Sequence, residues 1–198
     1  PITAVEPPKP QPVASAGVSK STANTGPPAL LSPKTASPAD VASMLSRAQA
    51  AVQANNFPSA VRFLDELLLV DPQNRDALSL MARAAQSQAM QLQRPQNSPL
   101  YLKSGDAMRR LRDLKVELTD DERNFLPVVF FNEACTLTLM GDLGRGVKVL
   151  TDAFDSGFER VELLDSDPEL EHLRRLPEFQ ALQRRVERRV IESTLAAT

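Results

Sequence analysis

The side chains that most often catalyse or ligate are scarce here: among 198 residues there is one cysteine, Cys135, one histidine, His172, one tyrosine, Tyr101, and no tryptophan. A single cysteine excludes an internal disulfide and leaves the redox compartment open. A lone histidine without cysteine neighbours cannot assemble a zinc site. No motif ties Cys135 to His172 as nucleophile and base, so Cys135 reads as a small apolar residue and His172 as a solvated helix residue. Charge of one sign is lacking as well. The net charge is -2 and the pI about 5.6, so no global field favours nucleic acid or an anionic membrane. The longest apolar runs, Leu67–Val70 and Leu126–Phe131, fall far short of the roughly 18 residues a membrane span requires.

What remains of possible chemistry is thin. Gly141-Asp142-Leu143-Gly144-Arg145-Gly146 followed by Lys148 approaches a phosphate loop, but the Lys is displaced by one place, no Ser or Thr follows it, and no strand precedes it. The segment reads as a turn between helices. Glu162, Asp165, Asp167, Glu169 and Glu171 form an acidic cluster without the spacing or central glycine of a calcium loop. They read as caps and solvated faces, and no metal or cofactor is expected. Arg174, Arg175, Arg184, Arg185, Arg188 and Arg189 concentrate positive charge just beyond those acids. Their two readings are mutual neutralisation with the acids and a docking surface for an acidic partner; no interleaved aromatics suggest stacking on single-stranded nucleic acid.

Composition divides the chain in two. The first 40 residues hold nine of the sixteen prolines and no aromatic residue. Residues 1–36 therefore read as a disordered, Pro/Ala/Ser-rich tether of about 3.1 Å per residue, on the order of 110 Å when extended. Residues 37–198 are enough for one domain and are rich in Leu, Ala, Val and Arg. The sequence opens at Pro1 and not at Met, which leaves room for a start, signal or anchor removed upstream. The compartment is left open, with the cell envelope or periplasm preferred to the cytoplasm.

The helical pattern starts at Ser37-Pro38-Ala39-Asp40, which reads as a cap, a first-turn proline and a first-turn acid. The first helix extends to about Ala54. Pro58 opens its partner, whose Ala60, Val61, Phe63, Leu64, Leu67 and Leu68 make a broad apolar face ending near Val70. Asp71-Pro72 predicts a restart by the same logic, with a helix to about Gln93 that Pro95 terminates. Arg94 to Gly105, which carries Tyr101, reads as a surface loop. Thr119 to Glu122 is a capping box, and the spacing predicts a new helix near Pro127. Asp167-Pro168 and Pro177 open two final helices, the second with Phe179, Leu182, Val186 and Val190 on one face.

A period of 34 residues organises these pieces: Pro38 and Pro72, Met44 and Leu78, and Ala48 and Ala82 are each one step apart. Phe130 and Ala134 repeat the last two pairs after a middle unit lengthened by about half a repeat. Such a unit is a helix hairpin that stacks on its neighbours.

These residues resemble the tetratricopeptide repeat. Ala48, Ala60, Leu64, Leu67 and Pro72 fall at the family's small, apolar and terminating places, with Asn55-Asn56-Phe57 at its hairpin turn. Leu78, Met81, Ala82 and Ala85 fit the first helix of a second unit, whose partner helix is delayed until about Ala107, Leu111 and Leu114. Asn132 to Phe158, followed by Leu164 to Leu182, is similar to the terminal repeat and capping tail of bacterial members. Gly146 departs from the family, which prefers Ala where paired helices touch; this costs about 1 kcal/mol of helix propensity. The resemblance implies an all-α, right-handed superhelical stack of about three hairpins with C-terminal capping helices. It further implies a non-catalytic protein-binding scaffold that takes a peptide or partner helix along a concave face at Leu45, Gln49, Val52, Ser79, Arg83, Gln86, Phe131, Cys135 and Thr138. The Lys and Asn residues with which some members clamp a C-terminal carboxylate are missing, and Arg83 is the cation that could anchor a carboxylate. The alternatives are a structural subunit of a cell-envelope assembly and an accessory domain of a larger enzyme.

Overall fold

A computed structural model describes residues 37–196, so the tether expected over residues 1–36 lies outside the described residues. The described chain is all-α: α1 (Pro38–Gln53), α2 (Phe57–Val70), α3 (Arg75–Met90), α4 (Ser98–Asp113), α5 (Asp120–Leu139), α6 (Leu143–Asp155), the single turn α7 (Leu163–Ser166), a 3-10 turn at Pro168–Leu170, and α8 (Pro177–Ala196). None of these helices is long and apolar enough to cross a membrane.

The first six helices form three sequential antiparallel pairs, each packed on the next, as in a helical repeat. Ala48, Ala82 and Ala134 are all completely buried in one continuous core, where a methyl side chain lets neighbouring helix backbones approach closely. Two of the three hairpins turn in the same way. Asn55 (φ 55°) and Gly141 (φ 81°) leave the helix in the left-handed region. Asn56 N–H then bonds back to Ala51 O at 2.8 Å, and Asp142 N–H to Leu137 O at 2.9 Å. This is a Schellman closure, which satisfies the orphan carbonyls of a helix end. The side chains of Asn56 and Asp142 then cap the next helices by accepting from Ser59 N–H and Arg145 N–H. The glycine-rich stretch at 141–146 is thus a helix-to-helix turn.

The capping boxes at Ser37 and Thr119 are both formed. Five boundaries differ from the sequence expectation. Asp71-Pro72 does not start α3: Asp71 caps the end of α2, Asn74 caps α3 through Ala77 N–H, and the two side chains bond each other at 2.9 Å. Helix α3 stops at Met90, before Pro95. The expected loop over 94–105 is mostly helix, because α4 begins at Ser98 with Pro99 in its first turn and buries Leu100, Ser104 and Gly105. No new helix starts at Pro127. Helix α5 runs through it, and the buried Leu126, Val129 and Phe130 hold the turns on either side, offsetting a lost backbone bond that costs about 3 kcal/mol in a helix interior. After α6, Asp167-Pro168 yields only the 3-10 turn, and His172 is exposed in the turns that follow.

Gly146 has a packing reason. A Cβ there would stand 3.0 Å from Thr138 Oγ1 and 3.6 Å from Ala134 O, so the missing methyl lets α6 close onto α5.

Candidate protein-binding face

The expected contact positions sit on α1, α3 and α5, the first helices of the three pairs. On α1, Gln49 is exposed, with Leu45 and Val52 half-buried to either side. One 34-residue step later, α3 places Ser79 and Arg83 half-buried and Gln86 fully buried. Ser79 donates to Glu122 Oε1 at 2.6 Å, while Arg75 donates to Glu122 Oε2 at 2.6 Å, so Ser79 ties α3 to the start of α5. Burial would push the Glu122 carboxyl up, but the Ser79 hydroxyl, the Thr119 amide and Arg75 together hold it below the ordinary glutamate range. Arg83 lies over the Phe125 ring, 5.2 Å from its centre, and makes no ion pair among the described residues. That leaves a half-buried cation on an aromatic platform on α3. Gln86 keeps its Oε1 buried without a hydrogen-bond partner.

The third helix is different. Phe131, Cys135 and Thr138 are all buried, and what covers the first two is the chain itself. Phe158 stacks on Phe131 with ring centres 4.3 Å apart and 9° between planes, and Phe154 meets Phe158 edge-on. From Phe158 the chain passes over α5 as a strap that buries Leu164 and Leu170 and ends in the 3-10 turn packed on α5. Arg94 clasps it, donating from Nε and Nη2 to the two oxygens of Glu169 at 3.0 and 2.6 Å and from Nη1 to Thr136 Oγ1 at 2.7 Å. The same guanidinium lies 5.1 Å from the centre of the Tyr101 ring. Thr138 turns the other way, toward Gly146, and returns its hydroxyl to Ala134 O at 2.8 Å.

Cys135, Asp167 and Glu169 bring possible metal-donor atoms within 4.8 Å of one another. Both Glu169 oxygens already accept from Arg94, and Asp167 Oδ1 accepts from Glu169 N–H at 2.9 Å, so these groups close the strap. Burial pushes the Cys135 thiol far up, with Asp167 and Glu169 adding to the effect, which keeps it protonated and a poor nucleophile.

The nine positions therefore separate. Leu45, Gln49, Val52, Ser79 and Arg83 reach solvent, whereas Gln86, Phe131, Cys135 and Thr138 do not. Sequence reasoning missed Arg94, because its partners Thr136 and Glu169 lie 42 and 75 residues away and no local spacing announces such a clasp. No protein-family model matches the chain, and neither a curated protein nor a solved structure matches it.

Proposed function

We infer that this chain is a non-catalytic protein-binding scaffold of the tetratricopeptide kind, a short superhelical stack that takes a partner segment across α1 and α3. The observation that carries this reading is the contrast among the first helices. On α5 the equivalent face is filled by the chain's own strap, while on α1 and α3 the same register leaves Gln49 exposed and Arg83 unpaired over Phe125. A surface that the fold covers in the third pair and leaves open in the first two suits an extended ligand with apolar side chains against Leu45 and Val52 and a carboxylate on Arg83. The partner class is a protein segment, since the open positions are shallow and mixed apolar and polar.

The test is affinity capture of partners by the full chain beside an Arg83→Ala, Gln49→Ala double variant. Loss of the captured partner with an unchanged melting temperature supports the reading. Capture that survives the double variant overturns the placement of the site.

A further inference from the structure

Arg94 and Arg83 lie on aromatic rings in nearly the same way. The Arg94 guanidinium is 5.1 Å from the centre of the Tyr101 ring, and that of Arg83 is 5.2 Å from the centre of Phe125. A ring attracts the cation through its face and takes none of its five N–H donors, so in both places the whole fork stays available. At Arg94 the fork is in use: Nε and Nη2 hold the two oxygens of Glu169, and Nη1 reaches Thr136. At Arg83 it is idle, with no hydrogen bond and no ion pair among the described residues, although the side chain is half-buried. Glu122, which Ser79 brings to within a turn of Arg83, has its oxygens engaged by Ser79, Arg75 and the Thr119 amide. The exposed Asp76 and Asp121 make no ion pair with Arg83.

That contrast decides the chemistry. A fully hydrated surface arginine gains little from an anion. A guanidinium that has lost part of its water to a ring and to burial gains more, most of all from a planar carboxylate whose two oxygens match two parallel N–H groups. Arg94 with Glu169 is that arrangement already realised in this molecule. Other arginines supply the opposite case. Arg47 and Arg62 share the Phe63 ring in exposed positions, Arg185 and Arg189 share the Asp155 carboxylate, and Arg184 and Arg188 stand exposed with neither acid nor ring among the described residues.

We propose that Arg83 on Phe125 is the unfilled counterpart of the Arg94 clasp: a receptor that grips one glutamate or aspartate side chain of the partner segment through both carboxylate oxygens, as Arg94 grips the Glu169 that the strap presents. Phe125, which is not among the nine positions the repeat register selects, is the residue that makes this arginine selective. The proposal rests on the reading of α1 and α3 as the partner face.

The probe is N-acetylglutamate α-amide, whose only charge is a side-chain carboxylate, compared with N-acetylglycine, whose carboxylate ends a chain, and with inorganic phosphate. Each is titrated into the full chain while the arginine Nε–H signals are followed by nitrogen-15 NMR, that of Arg83 being assigned by its loss in Arg83→Lys. The Arg83 signal should respond to the glutamate ligand at least tenfold more tightly than those of Arg184 and Arg188, and Phe125→Leu should remove the difference. Arg94 should stay silent in the native chain, where Glu169 fills it, and should respond as Arg83 does in Glu169→Ala, which shows that the probe reads such a site. Thermal melts check that both variants are folded; the comparison within the native chain needs neither of them. An Arg83 response no tighter than those of Arg184 and Arg188 overturns the proposal, as does a preference that survives Phe125→Leu. Tighter binding of phosphate or of N-acetylglycine overturns it in favour of a phosphate or a chain terminus. The partner face is judged separately: a protein captured through Gln49 without a carboxylate response at Arg83 keeps the face and removes the receptor, and a responding Arg83 with no protein captured does the reverse.

Discussion

A Cβ on Gly105 would overlap Cδ and Oε2 of Glu133, so a glycine in the middle of α4 is what admits a fully buried carboxylate from α5. That carboxylate is held by Arg109 at 2.5 Å, and its second oxygen has no partner. Gly105→Ala should therefore destabilise the fold by about 1 to 3 kcal/mol through overpacking, although alanine is the better helix former. Glu133→Ala should also destabilise, since it strands Arg109 and leaves a cavity. The double variant should cost less than the sum, because removing the carboxylate makes room for the methyl. Chemical denaturation of the four proteins measures this. Additivity would mean that the two residues do not touch.

Glu122 links stability to pH. Its carboxyl titrates below the ordinary glutamate value in the folded chain, so its contribution is fully present above about pH 4.3, the unfolded value, and is lost as pH falls through the folded one. Glu122→Gln should flatten the acid limb of the stability curve below about pH 5 while leaving the slope at higher pH unchanged. An acid limb of unaltered steepness would remove Glu122 from the account.

The buried alanine layer makes a third expectation. Ala48→Leu, Ala82→Leu and Ala134→Leu should each lower stability by about 1 to 3 kcal/mol, because each site is fully enclosed. Unchanged melts in all three would mean that the helices do not meet through this layer.

Cys135 reports on the strap. It is buried beneath the 3-10 turn, so a thiol reagent reaches it only when the strap lifts. Glu169→Ala combined with Phe158→Ala should speed its labelling under native conditions at least tenfold, while global unfolding shifts much less. Equal labelling rates would show that the strap is not what shields α5.

Local chemistry was the legible part of the sequence. The cap at Ser37, the box at Thr119 and the turns at Asn55-Asn56-Phe57 and 141–146 need only a few consecutive residues, and the alanines needed only the 34-residue step. Asp71-Pro72 misled because Asp71 can end one helix as well as start another, and Asn74 three places on was the better cap. Pro127 misled because its cost is local while the packing of Leu126, Val129 and Phe130 that offsets it is tertiary. That Gln49 and Arg83 reach solvent follows from the 34-residue register, whereas the Phe125 ring beneath Arg83 comes from α5, 42 residues on. The candidate site was not legible at Phe131 and Cys135, whose covering arrives from Phe158 and Glu169 through a turn with no repeat-like pattern of its own.

The central claim is that a partner protein lies across α1 and α3. Site-specific photo-crosslinking tests it most directly, with a benzophenone side chain introduced into the full chain at Gln49 and, as a control, at the exposed Leu69 on α2. The account predicts a discrete protein adduct from Gln49 that Arg83→Ala abolishes, and none from Leu69. No adduct at Gln49, or equal adducts from both positions, would contradict it.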